Sequence, residues 1–448
     1  MEKTKLFSFI EHKIISDGSL NDCLEIIYND YDPNNPNKYL GLNCCNHKNK
    51  TFQTNYYIGL DWIVEGESAI MVEPKIKGLN YLKMFMDCFD CDNIIAKEKL
   101  KDMYHIDFGR DPIKVKNNTF ELTPLLIIHF LKLMQSLIKR NLKKDYIQVE
   151  ENLNSKIKGK ILFSKNVKYN VFKGREDRFY CKYQDYSSDC IENRILKKTL
   201  RYVQKYLDNN NISCEHDDLD RKCNTCLAVF EQVSDDLTIQ QIKQFKVNPL
   251  FKEYAESLKV AKLILRRFSY SIDNATNEVD KSLPPFWIDM PLLFEVYVLT
   301  LLQNKFKNEI EYQVSGYSGI VDYIRKNSPL IIDAKYKPIY SDKEIEKNIS
   351  DELKSDLEKV NGRFKIEDIR QLSGYARDKK IRRKFKIKED SKVVPCLIIY
   401  PLDESQGNVI MNNDTLLNDP IDKFTDFYKF GIKLPIKKDN LYSNQISE

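Results

Sequence analysis

At Thr123 the periodicity of the chain changes, and that change limits what it can fold into. Up to about residue 115 the apolar residues come in short β-prone runs, FQTNYYIGLDWI and SAIMVEPKI, separated by Asn-rich turns such as DPNNPNKY. No long amphipathic segment interrupts them, so residues 1–115 read as a small β-rich or α+β domain. TPLLIIHFLKLMQSLIKRNL instead repeats apolar residues at helical spacing, with Thr123 and Pro124 placed as N-cap and first helical residue. Two more helices are predicted, in CIENRILKKTLRYVQKYL and VNPLFKEYAESLKVAKLILRRF, and residues 116–280 read as a largely helical middle domain. Residues 281–448 open with PPFWIDMPLLFEVYVLTLLQNKF, a helix entered through prolines. Strands follow around QVSGYSGIVDYI and LIIDAKYK, then a Lys/Glu-rich stretch, the helical segment DIRQLSGYARDKK and the apolar strand VVPCLIIY. Helix, hairpin, helix, strand is the order of a mixed α/β domain, and the whole chain reads as an α+β multidomain protein without a repeat of fixed period.

A chain of 448 residues is too long for one core and fits two or three domains. Lys and Arg total 71 against 66 Asp and Glu, and a net charge of +5 does not by itself call for a nucleic-acid partner. The N-terminus MEKTKLFSFIEHK lacks the apolar stretch of a signal peptide, and the longest apolar runs are interrupted by His, Lys or Glu. These features predict a cytoplasmic protein with no membrane partner. The 11 cysteines, irregularly spaced, are then expected as reduced thiols rather than as a disulfide framework.

The strand IIDAKYK carries an acid and a lysine two positions apart, so Asp333 and Lys335 share one face while Ile332, Ala334 and Tyr336 share the other. GIVDYI precedes it across the turn-forming RKNSP, and a hairpin centred between Asn327 and Ser328 would set Asp322 opposite Asp333. Facing residues have β-carbons about 5 Å apart, where two like charges are unfavourable unless a cation lies between them. Oxygen ligands of this number suit Mg²⁺. Lys335 beside such an ion would orient or acidify a water and stabilise charge on a phosphate, the requirements of phosphodiester hydrolysis. The bland alternative is a solvated edge strand, and the apolar residues leading into Asp333 weigh against it. Glu295 sits inside the apolar run PLLFEVYVLTLL, and Gln371 and Tyr375 share one face of the following helix.

Asp322, the Asp333-Ala334-Lys335 triplet, Glu295 and Gln371-x3-Tyr375 together resemble the PD-(D/E)xK nuclease superfamily, the Gln-x3-Tyr element its RecB-like branch. With VEPKI, KGKILFS, CIENRILKKTL, DMPLLFEVYV and DIRQLSGYA, the chain resembles the McrC nuclease subunits of McrBC modification-dependent restriction systems, which serve in phage defence. The resemblance implies a PD-(D/E)xK endonuclease fold for the last domain. It also implies Mg²⁺ held by Asp322, Asp333 and Glu295, a water assisted by Lys335, and Gln371 and Tyr375 contacting DNA or bracing the site. The implied partner is an McrB-like AAA+ GTPase hexamer, entered and stimulated by the N-terminal domain. The chain itself has no G-x4-G-K-[ST] loop.

The run RDKKIRRKFKIK (Arg377 to Lys388) holds eight basic residues and one acid. It reads either as a solvated helix end or, beside a nuclease centre, as a phosphate-contacting surface through Arg377, Lys379, Lys380, Arg382 and Arg383. Cys214, His216, Cys223 and Cys226 form C-x-H-x6-C-x2-C, either a structural Zn²⁺ site or, for the last pair, buried thiols of one helix. Two other functions stay open at this point: a non-catalytic activator of a ring NTPase, and a stand-alone RecB-like repair nuclease.

Overall fold

The structure, a computed structural model, describes residues 5–15, 41–46, 51–89, 94–99, 102–107, 110–111, 113–115, 122–209, 217–237, 252–273, 281–337, 367–387, 393–402, 411–412, 415–421 and 424–436. It divides into two compact units, Met1–Phe120 together with Asp280–Glu448, and Glu121–Val279. Three consecutive domains were expected; instead both ends of the chain build one unit, and the middle is an insertion into it.

The first unit begins with β1 (Lys5–Ile10), β2 (Ile14–Ile15), β3 (Leu42–Asn46), β4 (Thr51–Thr54), β5 (Tyr57–Val64) and β6 (Ser68–Glu73). It continues with α1 (Tyr81–Phe89), α2 (Ile94–Lys99), β7 (Tyr104–Ile106) and β8 (Ile113–Val115). The β-rich reading of this region holds, except that α1 was not foreseen. Its face of Tyr81, Leu82, Met84, Phe85 and Cys88 is buried.

The second unit contains α3 (Leu122–Ile138), β9 (Asp145–Asn154), β10 (Lys160–Ile161), α4 (Phe163–Tyr169), β11 (Arg178–Ser187), α5 (Ile191–Asn209), α6 (Asp217–Val229) and α7 (Lys252–Asp273). The four long helices pack on one another as their apolar periodicity requires. The region is less helical than expected, because β9 and β11 pair antiparallel over ten residues, from Asp145–Ser187 to Asn154–Arg178. That ribbon is largely solvent-exposed, so it lacks the apolar alternation that marks a half-buried strand.

The chain re-enters the first unit with β12 (Lys281–Leu283) and β13 (Phe286–Asp289), then α8 (Met290–Phe306). Helix was expected from the prolines onward. Instead FWID is a strand inserted between β5 and β7, in a sheet of order β1-β6-β5-β13-β7. Gly59 on β5 permits this: its φ is +155°, and an added Cβ would lie 2.0 Å from the Phe286 carbonyl oxygen. Asp289 then caps α8 by accepting from the Leu292 N–H at 3.0 Å. Thus β13 fuses the amino-terminal sheet to the carboxy-terminal part of the chain.

The last elements are β14 (Ile310–Ser315), β15 (Ile320–Arg325), β16 (Leu330–Ala334), a helix α9 over residues 367–377, α10 (Lys379–Lys384), β17 (Cys396–Leu402) and β18 (Phe427–Lys433). They form a sheet of order β14-β15-β16-β17-β18, antiparallel from β14 to β16 and parallel from β16 to β18. The mixed α/β reading of this region therefore holds. Val321, Ile324 and Ile331 of the sheet join Leu372, Tyr375 and Ile381 of α9 and α10 in one buried cluster. Each fully buried aliphatic side chain contributes about 2 kcal/mol, which fixes the helices on the sheet. The Lys/Glu-rich stretch after IIDAKYK lies outside the described residues.

Candidate functional site

β16 occupies the centre of its sheet, where strands covered on both faces run apolar, and Leu330, Ile331 and Ile332 are buried accordingly. Asp333 continues the strand and is itself 1% exposed. The hairpin has the expected register: Tyr323 faces Ile332, Ile324 faces Ile331 and Arg325 faces Leu330. One step on, that register sets Asp322 across from Asp333. There the backbone ladder gives way to a side chain, as Asp322 Oδ2 accepts from the Ala334 N–H at 3.0 Å. On the other edge, the Lys335 N–H continues to β17 through the Ile399 carbonyl, 2.8 Å away.

Lys335 Nζ lies 2.7 Å from Asp333 Oδ2, so the two share a face as strand alternation demands. Its second contact is Gln371 Oε1 at 3.3 Å, and Gln371 Nε2 donates to Tyr375 Oη at 2.9 Å. The Gln-x3-Tyr pair thus braces the lysine from α9. Tyr375 Oη in turn lies where a Cβ on Gly319 (φ +137°) would come within 3.2 Å of it.

Glu295 projects from α8 toward β14. Its Oε1 accepts from Tyr312 Oη at 2.8 Å, Gln313 Nε2 at 2.5 Å and Lys99 Nζ at 3.1 Å. Gln313 reaches it from a left-handed backbone, φ +55°, inside β14, a strained conformation for a residue other than glycine. All three donors converge on Oε1, and the Glu295 carboxylate stands close enough to Asp322 for its charge to push that acid up.

Electrostatics mark the two aspartates as a mutually unfavourable pair. Burial pushes Asp322 well above the usual carboxylate range, and the charges of Asp333 and Glu295 push it further. Burial likewise raises Asp333, with Lys335 opposing. For Lys335 burial acts downward, but the carboxylate of Asp333 outweighs it and holds the ammonium above its ordinary value. Apart from the Lys335 ion pair, Asp333 Oδ2 is buried with no aligned hydrogen-bond donor. A buried carboxylate in that condition needs a cation.

Two facing carboxylates, one of them charge-paired by Lys335, fit an ion that takes one or two protein carboxylates and completes its shell with water. Among the described residues, no group of three or more His, Cys, Asp or Glu side chains is arranged to enclose a metal by itself. Cys214 and His216 lie outside the described residues. Cys223 and Cys226 are buried thiols of α6, pushed by burial to about 12 and about 11, and Cys223 Sγ donates to the Leu200 carbonyl.

Of the basic run, Arg377, Lys379, Lys380 and Arg383 are exposed. Arg382 is not: it is buried and donates through Nη1 to the Ala376 carbonyl at 3.2 Å, so its work is structural. Asp378, the acid of the run, accepts from the N–H of Ser318 at 2.8 Å, from Tyr317 at 2.5 Å and from Ser318 Oγ at 3.0 Å, while capping α10 through Lys380 N–H. It fixes the 316–319 loop next to the cations.

Sequence reasoning missed Asp368. This buried acid lies one helical turn before Gln371, 3.3 Å from Lys337 Nζ and 4.0 Å from Lys335 Nζ. Its spacing to Gln371 and Tyr375 on one helix face was the available signal. Tyr312, Gln313 and Lys99 were missed because nothing local in the sequence links them to Glu295.

A model of the family described as McrBC 5-methylcytosine restriction system component matches residues 53–357 of the 448. The chain belongs to that family. The match takes in β5, β6, β7 and β13 of the amino-terminal sheet and the Asp322–Lys335 hairpin. No curated protein matches. Among solved structures, one similar chain comes from a refined half-complex of a tetradecameric assembly of Thermococcus gammatolerans McrB AAA+ hexamers with bound McrC. It is 14% identical with a TM-score of 0.38, over 96% of this chain and 95% of that one. Another comes from the cryo-EM structure of the Thermococcus gammatolerans McrBC complex, at 13% identity and a TM-score of 0.29, over 66% of this chain and 87% of that one. Among the described residues, no helix of this McrBC-family chain is long and apolar enough to cross a membrane.

Proposed function

We propose that this chain is the nuclease subunit of a McrBC-type modification-dependent restriction system, a cytoplasmic Mg²⁺-dependent DNA endonuclease with a PD-(D/E)xK centre. The observation that carries this reading is the facing pair Asp322 and Asp333 with Lys335 beside them. Asp322 and Asp333 would hold the metal, which supplies Lewis-acid polarisation of a phosphate and activation of a water. Lys335 contributes a point charge at the phosphate and orients the water. Gln371 and Tyr375 hold that ammonium in place, and Glu295 shapes the field from the far side. The exposed Arg377, Lys379, Lys380 and Arg383 would take backbone phosphates, a contact that positions DNA without selecting a sequence.

Cleavage on this reading is switched on by an McrB-like AAA+ GTPase hexamer, whose GTP hydrolysis the chain stimulates. Family membership supports that partner. The docking element was expected in residues 1–115, but the exposed aromatic and aliphatic side chains favour the β9–β11 ribbon and its connection: Tyr146, Phe163, Phe172 and Tyr186 are 60–83% exposed. The test is cleavage of methylated and unmethylated plasmid by the wild type and by Asp333→Asn, with and without the GTPase subunit and GTP. Cleavage that requires the partner, Mg²⁺ and Asp333 is expected. Stimulated GTP hydrolysis without Mg²⁺-dependent cutting would favour a non-catalytic activator, and efficient cutting without the partner a stand-alone nuclease.

A further inference from the structure

Strand alternation turns Tyr336 away from the face of Asp333 and Lys335, toward the amino-terminal sheet. There it meets a buried carboxylate, Glu11, and the half-buried Lys75. Lys75, of the VEPKI stretch after β6, donates through Nζ to the Tyr336 carbonyl at 2.8 Å, and the ammonium lies 3.6 Å from the Tyr336 ring centroid. Glu11, 1% exposed, accepts from Tyr336 Oη at 2.8 Å and from the Lys75 N–H at 3.0 Å, both at Oε1. The Glu11 N–H itself extends the β1–β6 ladder through the Glu73 carbonyl at 2.9 Å. Tyr56 stands edge-on to Tyr336 with His12 stacked on it, and Phe294, the neighbour of Glu295, touches the other side of the Tyr336 ring.

A buried carboxylate with a desolvated ammonium nearby is an expensive way to hold two elements together. Replacing buried charges by apolar residues is commonly neutral or stabilising, so they are weak evidence for a purely stabilising role. Here the cost is visible: Glu11 Oε2 is buried without a hydrogen-bond partner, and burial lowers Lys75 to about 8. What the pair does that apolar packing does not is fix one carbonyl of the main chain, the one immediately following Lys335. Cation–π contact and a charge-assisted hydrogen bond from the same ammonium leave that peptide little freedom to move.

We propose that Lys75, with Glu11, is a positioning residue for the cleavage centre: it anchors the Tyr336 peptide and so sets where Lys335 and Asp333 stand. The inference rests on the nuclease reading above. Displacement of a reacting group by about 1 Å costs up to about 100-fold in rate, so an anchor one peptide away has kinetic weight.

The test compares wild type, Lys75→Met and the double variant Lys75→Met/Glu11→Gln, each as full chain with the GTPase partner. Lys75→Met alone strands a buried carboxylate and is expected to unfold at lower temperature. The double variant removes both charges, while the amide oxygen that replaces the Glu11 carboxylate still accepts from Tyr336 Oη, and it is expected to recover the wild-type melting midpoint. It is nevertheless expected to cleave at least about 10-fold more slowly in single turnover, with DNA affinity unchanged and Mn²⁺ affinity, read by calorimetry, weakened several-fold. A double variant that melts, binds Mn²⁺ and cuts like the wild type would overturn the proposal and leave the cluster a packing contact. A wild type that neither binds Mn²⁺ nor cleaves would instead overturn the nuclease reading, and this inference with it.

Discussion

Asp322→Asn is expected to stabilise the metal-free protein while removing its response to divalent cations. Two carboxylates about 5 Å apart, at an effective dielectric of about 20, repel by about 3 kcal/mol. Lys335, 2.7 Å from Asp333, offsets part of that. The asparagine keeps an oxygen for the Ala334 N–H, so no hydrogen bond is lost. The net gain is about 1–2 kcal/mol, or about 2–4 °C in the melting midpoint measured with EDTA. Because burial raises both Asp322 and Asp333, and the facing charge of Asp333 raises Asp322 further, the folded state binds protons more readily than the unfolded chain. Their favourable contribution is complete below the unfolded value and is lost as pH rises through the folded one, so the advantage of Asp322→Asn grows upward from about pH 4. Mg²⁺ at about 100 times its dissociation constant adds about 2.7 kcal/mol to the wild type and nothing to the variant. A variant less stable than the wild type in EDTA at neutral pH would refute the reasoning.

Asp378→Ala removes the acceptor that fixes the 316–319 loop and caps α10, and should cost about 2 kcal/mol by urea unfolding. Burial pushes Asp378 up, but the N–H groups of Ser318, Lys380 and Tyr317 outweigh it and hold it below its ordinary value. Its contribution is therefore present above the unfolded value and lost as acid protonates it, so the penalty of the variant should shrink as the pH falls through the folded value. Gly319→Ala places a Cβ 3.2 Å from Tyr375 Oη at a left-handed φ, and should lower both stability, by about 1–2 kcal/mol, and single-turnover cleavage. Arg383→Ala should weaken DNA binding equally for all sequences and reduce the salt slope by about one, whereas Arg382→Ala should lower the melting midpoint instead.

What the sequence made legible follows from the range of the interactions. Asp322, Asp333 and Lys335 lie on one hairpin, where strand period and turn residues determine register, and the register expected from RKNSP is the one found. Gln371 and Tyr375 are one helical turn apart and were readable for the same reason. The partners of Glu295 come from β14 and α2, and those of Tyr336 from the segments just after β1 and β6, hundreds of residues away in the latter case, so no local pattern announces them. The discontinuous unit was hidden likewise: FWID reads as the lead-in to a helix until its pairing with β5 and β7 is known. Arg382 shows the converse error, since a charge run in sequence does not say which of its members folds inward.

The proposed role of the Asp333–Lys335 face in phosphodiester cleavage is tested most directly by Mg²⁺-dependent cutting of methylated plasmid by Lys335→Ala against wild type, both with the GTPase subunit and GTP. Lys335→Ala is expected still to bind the partner and stimulate its GTP hydrolysis but to lose cleavage by at least about 100-fold, the scale of removing one electrostatic stabiliser of the transition state. Cleavage by Lys335→Ala at the wild-type rate would contradict it.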